Sequence, residues 1–128
     1  MKITVLGAGT WGVALASLLF KNGHEVTLWS AIPAELSELR ETGRHKNLPE
    51  AKIPEGISYD ENIARAIEGS EMLLFVVASA YIRKTAALVA PLLCDGVMLV
   101  NASHPQNAEL PMLVMVSGSE ICARYLHS

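Results

Sequence analysis

The sequence has 128 residues, of which 51% are hydrophobic and 18% charged, and its net charge at pH 7 is −3. This length fits one domain, which buries about two-thirds of its unfolded surface and can form a core without disulfides or metals. With this charge, and with no basic run beyond residues 44–46, nothing marks the chain as a nucleic-acid-binding protein. The four histidines and the two cysteines lack metal-ligand spacing. Cys94 and Cys122 lie in apolar contexts and are predicted to be buried thiols of a reducing compartment.

The start of the chain has no features of a targeting segment. The apolar run that follows Met1 and Lys2 is short, and a glycine-rich turn interrupts it. Elsewhere, no stretch approaches the roughly 20 uninterrupted apolar residues of a membrane span. We therefore expect a cytoplasmic protein with no signal peptide, no membrane span and no nucleic-acid partner.

The most informative stretch is the turn Gly7-Ala8-Gly9-Thr10-Trp11-Gly12. Residues 3–6 form an apolar run that leads into the turn, and residues 26–29 form a second one. Between them, five apolar side chains follow the spacing of one helix face: Trp11, Ala14, Leu15, Leu18 and Leu19. A strand, a glycine turn, a helix and a second strand within about 30 residues are the context in which G-x-G-x-x-G indicates dinucleotide binding.

Each glycine of the turn has a distinct physical role. Gly7 lets the strand turn sharply, Gly9 lets the backbone approach a diphosphate, and Gly12 lets the helix pack close to the strands. The free N–H groups at 9–12 then face the ligand, and the helix dipole adds about 0.3–1 kcal/mol for each nearby negative charge. The alternative, three glycines that merely form a turn, is disfavoured because both flanking periodicities are those of the motif.

The segments after the second strand continue the alternation. Pro33 is predicted to begin a helix whose inner face carries Leu36 and Leu39 and which ends at Gly43. Residues 44–55 contain two prolines and are predicted to be a loop. We therefore expect the next regular structure only after this loop.

A short strand is predicted at residues 57–59, followed by a helix that Asp60 caps and that runs through Glu68 to Gly69. Its inward side chains are predicted to be Ile63, Ala66 and Ile67.

The second half of the chain contains two buried strands. Residues 72–77 are continuously apolar, which is typical of a strand buried on both faces of a parallel sheet. Residues 78–80 then turn the chain into a helix that is lined by Ile82, Ala86 and Val89 and ends near Pro91, and residues 97–100 form another strand. Strands that alternate with helices predict an α/β fold, a Rossmann-like doubly wound parallel sheet in a single domain. The ligand crevice is expected where the strands end, near residues 7–12, 30, 78–79 and 101–103.

Two phrases of the sequence, residues 3–16 and 22–29, resemble the N-terminal domain of bacterial NAD(P)-dependent glycerol-3-phosphate dehydrogenase. Trp11 is the sharpest mark of this resemblance, because most dinucleotide folds place no tryptophan in the glycine turn. Further pieces agree in order: Asn47-Leu48-Pro49, Ile53-Pro54, and residues 75–79 and 99–103. The resemblance covers residues 1 to about 103, and residues 104–128 form a tail that departs from the family.

The resemblance implies an oxidoreductase that interconverts sn-glycerol 3-phosphate and dihydroxyacetone phosphate with NAD or NADP and feeds phospholipid synthesis. The expected partners are a nicotinamide dinucleotide, a small phosphorylated substrate in the complete enzyme only, and a second copy of the chain in a homodimer. In the family, Thr10 and Trp11 belong to the cofactor-contacting turn with the glycines. Residues that match the segment beneath the adenosine and nicotinamide halves are Val77, Ala78 and Ser79. The implied cofactor-binding set is Gly7, Gly9, Thr10, Trp11, Gly12, Ser30, Val77, Ala78 and Ser79.

The cofactor preference is not specified by the sequence. The family often has an arginine after Ser30 that can meet the 2′-phosphate of NADP, but this chain has Ala31. The sequence also shows no acidic residue that would bind a free 2′-hydroxyl. A milder departure is Ala78, which stands where the family has proline.

The strongest departure follows Ser103. The family continues with Lys-Gly, where the lysine reaches the cofactor and substrate phosphate, whereas this chain has His104 and Pro105. Histidine is shorter and mostly neutral at pH 7, and proline lacks a backbone donor. The family's helical C-terminal domain, which supplies the catalytic lysine, is expected to be absent. We therefore expect cofactor binding without turnover and assign no catalytic residue and no metal.

The tail leaves two interpretations open. Residues 110–116 are apolar enough for one more strand, so the tail can be read as an edge strand with a cap. The alternative, which we favour, is that the tail does not belong to the family and arose from a deletion or a change of reading frame. Two other functions also stay open. One is a stand-alone nucleotide-binding or regulatory module whose tail pairs with a partner chain. The other is a nicotinamide dehydrogenase of the hydroxyacid or ketopantoate type, which Trp11 disfavours.

Several conspicuous side chains are given structural roles. His24 is predicted to be a solvated residue at a helix end, and His45 and His127 to lie on the surface. Ser79 lacks the glycine elbow of a nucleophile. Two aromatic side chains are predicted to be core: Trp29 and Phe75.

Overall fold

The computed structural model describes residues 1–77, 81–93 and 96–102, together with the short strand at 115–116. Its strands, in chain order, are β1 (Lys2–Leu6), β2 (Glu25–Trp29), β3 (Arg44–His45), β4 (Leu48–Lys52), β5 (Ser58–Tyr59), β6 (Met72–Phe75), β7 (Met98–Asn101) and β8 (Met115–Val116). Strands β3 and β4 form a separate hairpin, and the other six form one sheet in the order β5-β2-β1-β6-β7-β8. All neighbours in this sheet are parallel except β7 and β8, which are antiparallel.

Within the described residues, four helices cover the two faces of the sheet. They are α1 (Thr10–Lys21), α2 (Pro33–Thr42), α3 (Ile63–Ile67) and α4 (Ile82–Val89), and a 3₁₀ turn at Ala90–Leu92 follows α4. Buried residues of α1 and α2 pack with Val5 in one cluster, and those of α3 and α4 pack with Leu73 in another. The predicted doubly wound sheet, with helices on both sides, is confirmed.

Strand β6, near the middle of the sheet, contributes side chains to both core clusters, which explains its continuously apolar sequence. Leu73 and Phe75 belong to one core cluster, whereas Leu74 and the following Val76 belong to the other. Because successive side chains of a strand point to opposite faces, both faces of β6 are buried. Trp29 and Phe75 are each 3% exposed, so their predicted places in the core are confirmed.

The second helix follows its sequence signals. Pro33 is its first residue, and Gly43 ends it with a left-handed φ of 68°. Leu36 and Leu39 are buried, as predicted. Proline fits the first turn because its missing N–H would have no helical partner there, and glycine takes the left-handed end without a steric penalty.

The inward face of α1 differs from the prediction. Its buried residues are Gly12, Val13 and Ala16, whereas Trp11 and Leu18 are exposed. Leu15 and Leu19 pack against the core as predicted, so the prediction was wrong for Trp11 and Leu18 and missed the three buried residues. The tight turn before α1 brings its small residues against the strands, because only they allow the close approach that the turn imposes.

The segment at 44–55 is not a simple loop. It contains the β3–β4 hairpin, in which Arg44 pairs with Lys52 and His45 pairs with Leu48. The prediction of a loop was wrong, because β4 (Leu48–Lys52) includes Pro49. Both strands of a two-stranded hairpin are edges, where a proline is tolerated.

The third helix is shorter than predicted, and its cap is different. It begins at Ile63, and Asn62 is the N-cap, whose side-chain oxygen accepts a hydrogen bond from Arg65 N at 3.1 Å. The carboxylate of Asp60 instead accepts from Asn62 N at 2.9 Å. Asp60 therefore shapes the turn that precedes the cap.

Several predictions lie outside the described residues. They concern the turn at 78–80, the thiols of Cys94 and Cys122, and the tail apart from β8. Strand β8 lies at the end of the sheet beside β7, at the place that an added edge strand would take.

Thr4 makes a buried polar contact that ties β1 to the segment around α3. Its hydroxyl donates to Ala66 O at 2.6 Å and, since it has a single proton, accepts from the Ser70 hydroxyl at 2.6 Å. We expect Thr4→Val to destabilise the fold by about 1–3 kcal/mol, because two buried polar groups lose their partner. Urea denaturation measures this loss. Thr27→Val on the neighbouring strand is the control and should change the stability by much less; equal effects of the two variants would contradict the assignment.

Candidate functional site

The turn of residues 7–12 lies at the carboxyl ends of the parallel strands. It leaves β1, which is flanked by β2 on one side and β6 on the other. The chain order reverses at this point, since β2 and β5 extend the sheet in one direction and β6 and β7 in the other. In open α/β sheets, ligands bind in the crevice outside such a switch point.

Gly7 is held between the neighbouring strands. Its N–H donates to Trp29 O at 2.8 Å. Its φ is +134°, and a Cβ built there would lie 2.3 Å from the carbonyl oxygen of Val76. A side chain at this position would therefore meet a strained backbone and rigid atoms at once.

Gly12 is equally constrained, from the helix side. A Cβ at Gly12 would lie 2.0 Å from the carbonyl oxygen of Gly7, well inside any normal contact. The steric roles predicted for Gly7 and Gly12 are thus confirmed. They are matters of folding, and they place the start of α1 directly above the end of β1.

Gly9 has the opposite environment. It is exposed, and a Cβ there would find no atom within 4 Å. It is the N-cap of α1 but supplies no side-chain cap, and the first turn of the helix contains no acidic residue. The first N–H groups of a helix lack helical partners, so this turn presents donors and a positive dipole end to an open space. That cradle, which a side chain would fill, fits the diphosphate of a dinucleotide.

The β3–β4 hairpin forms a wall beside the turn. Asn47 Nδ2 donates to Thr10 Oγ1 at 3.1 Å, and Asn47 N donates to His45 Nδ1 at 3.0 Å. His45 is 7% exposed, so the prediction that it lies on the surface was wrong. Its imidazole is buried because it anchors the hairpin turn that holds Asn47. The predicted loop did not include this hairpin. The sequence signal for it was Asn47-Leu48-Pro49, one of the segments that resemble the family.

The Trp11 side chain extends from the turn across the carboxyl ends of the strands. Its Nε1 donates to Ala102 O at 2.9 Å, just beyond β7, while the side chain is 49% exposed. The bond links the start of α1 to the strand end on the far side of β6. Trp11 therefore lies at the crevice rather than on the inward face of α1, where the helical spacing had placed it.

Ser30 follows β2 and is 4% exposed. Its hydroxyl donates to Glu35 Oε1 at 2.7 Å and accepts from Ile32 N at 3.0 Å. Glu35 lines a small cleft together with Ala8 of the glycine turn. Glu35 thus brings a carboxylate to the end of β2 from the first turn of α2. Its distance from the strand in the sequence hides this position from a search of the residues that directly follow β2.

The remaining predicted site residues are only partly described. Val77 follows β6 and is half-buried, and its Cγ1 would lie 3.4 Å from a Cβ at Gly7. Ala78, Ser79, Ser103, His104 and Pro105 lie outside the described residues.

Arg40 of α2 lies near this edge but is engaged elsewhere. Its Nη2 donates to Tyr59 O at 3.0 Å, and its guanidinium carbon lies 5.9 Å from the centroid of the Tyr59 ring. Burial raises the pKa of the Tyr59 phenol, and the nearby Arg40 charge opposes that rise. The cation is therefore used to hold β5 against α2.

A larger cavity, of about 350 Å³, lies on the side of the sheet opposite to the glycine turn. It is lined by residues that precede β6 and β7, including Ser70 and Val97, and by Ile67 and Leu93. It lies at the amino ends of the strands, away from the glycine turn. In the described ranges there is no group of three or more metal-ligating side chains, and none of the helices there is long and apolar enough to cross a membrane.

Comparison with known proteins agrees with this geometry. The family model described as the NAD-dependent glycerol-3-phosphate dehydrogenase N-terminus matches residues 2–116. The chain belongs to this family. The match continues past residue 103, and the assignment of residues 104–128 to a separate tail stays a prediction.

Relatives of this family align with most of the chain. A glycerol-3-phosphate dehydrogenase [NAD(P)+] 2 of Lactobacillus delbrueckii subsp. bulgaricus is 47% identical over 102 residues, which are 80% of this chain and 30% of the relative. A glycerol-3-phosphate dehydrogenase [NAD(P)+] of Geobacter sulfurreducens is 39% identical over 127 residues, which are 98% of this chain and 36% of the relative. The chain spans about a third of the length of the curated relatives it matches.

Solved structures show the same fold. A glycerol-3-phosphate dehydrogenase from Coxiella burnetii superposes with a TM-score of 0.78 at 25% identity, over 99% of this chain and 38% of that protein. A 2-dehydropantoate 2-reductase from Enterococcus faecalis, described as putative, gives 0.66 at 16% identity, over 98% of this chain and 37% of that protein. The second likeness concerns the fold alone.

Proposed function

We propose that the turn of residues 7–12 binds a nicotinamide dinucleotide, NAD(H) or NADP(H), with its diphosphate against the first turn of α1. The observation that carries this proposal is Gly9, an open position at an N-terminus without a side-chain cap. Gly7 and Gly12 allow the turn to pack closely against the ends of the strands. Thr10, Trp11 and Ser30 border the same crevice, and Val77 continues it from the end of β6. The proposed cofactor-binding set also includes Ala78 and Ser79.

The proposed role of this domain is to hold the cofactor of an oxidoreductase that interconverts sn-glycerol 3-phosphate and dihydroxyacetone phosphate. The family and the names of its relatives support this reaction. The dinucleotide supplies the carbon that gives or accepts the hydride, and the protein supplies position and field. We assign no catalytic residue to this chain and propose that residues 1–128 alone bind the cofactor without turnover. The proposed compartment is the cytoplasm.

A fluorescence titration tests the binding. Trp11 borders the crevice, so we expect saturable energy transfer from tryptophan to NADH as the reduced cofactor is added to the chain. Weak binding in the micromolar to millimolar range corresponds to about 4–8 kcal/mol, which a diphosphate cradle without the second domain can supply. No transfer or quenching up to about 1 mM cofactor would contradict the proposal.

The reaction is tested on a chimera. Residues 1–103 replace the matching part of the Lactobacillus relative, which supplies everything that follows, and NADH consumption is followed with dihydroxyacetone phosphate. We expect turnover by the chimera and none by the isolated chain. Absence of turnover in a folded chimera that binds NADH would contradict the proposed role.

The edge strand β8 supports a second candidate, a stand-alone module that pairs with another copy. An outer strand carries backbone groups that can pair with a neighbouring chain, which would also form the proposed homodimer. Size-exclusion chromatography with light scattering decides between the states. A discrete dimer that Val116→Lys dissociates would favour pairing through β8, and a monomer would contradict it.

A further inference from the structure

We propose that Glu35 selects NAD(H) over NADP(H) by accepting a hydrogen bond from the adenosine ribose. This inference rests on the proposed binding of a dinucleotide by the glycine turn. When a diphosphate lies on the helix that follows the first strand, the adenosine ribose lies at the end of the second strand. In this chain that position is Ser30, and Glu35 faces the same cleft as Ala8 of the turn.

The Ser30 hydroxyl fixes the carboxylate at this place. It donates to Glu35 Oε1 at 2.7 Å while it accepts from Ile32 N, so its orientation is determined from both sides. In the part of the chain that the structure describes, Ser30 is the sole recorded donor to this carboxylate, which leaves Oε2 as an acceptor. An ionised carboxylate can only accept hydrogen bonds. A ribose 2′-hydroxyl can donate to it, whereas a 2′-phosphate brings about 1.5–2 further negative charges and no donor.

The charged side chains around the cleft are mostly negative, which also disfavours a 2′-phosphate. Glu38 and Glu35 both line the cleft, and Lys46 at the hairpin turn lines it as well. Arg40 is engaged with Tyr59, and the guanidinium of Arg44 donates to the carbonyl of Pro49. Two carboxylates thus oppose one exposed ammonium group. Lys46 is the group that would favour a 2′-phosphate, so the test includes it.

The test compares the dissociation constants of NADH and NADPH for the full 128-residue chain by isothermal titration calorimetry. We expect NADH to bind at least about 10-fold more tightly than NADPH. Glu35→Gln should bring the ratio close to one by weakening NADH and strengthening NADPH. Lys46→Gln should widen the ratio, because it removes the opposing cation. Glu41→Gln, on the exposed end of the same helix, is the matched control for the charge change and should leave the ratio unchanged.

A second variant separates the carboxylate from its support. Ser30→Ala retains the charge but frees the side chain, so the ratio should fall part of the way, and thermal melts of each variant verify that the fold is intact. Equal binding of both cofactors by the unaltered chain, tighter binding of NADPH, or an unchanged ratio in Glu35→Gln would overturn the inference and leave the proposed function in place. Failure of both cofactors to bind would overturn the proposed function itself.

Discussion

Replacing Gly12 by alanine is expected to destabilise the fold by about 3 kcal/mol. In an ordinary helix interior the same change stabilises by roughly 1 kcal/mol, so the sign is reversed here. The reason is that the new Cβ would lie 2.0 Å from the carbonyl oxygen of Gly7, and both atoms belong to rigid backbone. Relief requires α1 to move away from the strand end. Urea denaturation followed by circular dichroism measures the loss.

The control for this variant is Gly9→Ala, three residues earlier. Gly9 has a φ of −73°, which any residue adopts, and open space around its Cβ position. Its stability should change by less than about 1 kcal/mol, since alanine is only a poorer N-cap than glycine. If Gly12→Ala proved as stable as the unaltered chain, the close packing of the turn would be wrong.

The second large effect concerns binding rather than stability. We expect Gly9→Val to weaken NADH binding by at least about 100-fold, or about 2.7 kcal/mol, while the fold is retained. The branched side chain occupies the open space where the backbone must approach the diphosphate, and its Cβ would have no protein atom within 4 Å. Calorimetric titration and a thermal melt on the same sample measure the two quantities separately.

A graded series strengthens this test. Gly9→Ala adds one methyl group to the same space and should give an intermediate loss of affinity. The order glycine, alanine, valine then reports the room above the turn. Unchanged affinity in Gly9→Val would mean that the cofactor does not approach this backbone.

The sequence was sufficient for the parts of the fold that depend on local rules. The glycine turn, the ends of α2 at Pro33 and Gly43, and the doubly buried run at β6 all follow from steric limits or from periodicity within a short window. These signals are strong because one residue type, or one spacing, is physically required at each place.

The parts that were missed depend on contacts between distant segments. The close approach of Gly12 to Gly7 and the hydrogen bond from Trp11 to Ala102 fix the orientation of α1, so the helical spacing alone placed Trp11 on the inward face wrongly. Likewise, the hairpin at 44–52 is stabilised by its own pairing and by the hydrogen bond from Asn47 to Thr10. Neither interaction can be predicted from a local sequence pattern.

The candidate site shows the same division. The glycines could be found from their spacing, because the proposed diphosphate cradle is formed by consecutive backbone groups. The carboxylate of Glu35 could not, because its position depends on the Ser30 hydroxyl and on the path of the chain between β2 and α2. Side chains that reach a site from a neighbouring element require the fold before they can be assigned.

Amide chemical-shift mapping of the isotope-labelled chain with NAD⁺ tests most directly whether the glycine turn binds the dinucleotide. We expect the largest changes at the amides of residues 9–12 and smaller ones at Ser30 and Val77, and we expect Gly9→Val to abolish them. Changes centred on the cavity at the opposite edge of the sheet, near Ser70 and Val97, or no changes at all, would contradict the claim that the glycine turn binds the dinucleotide.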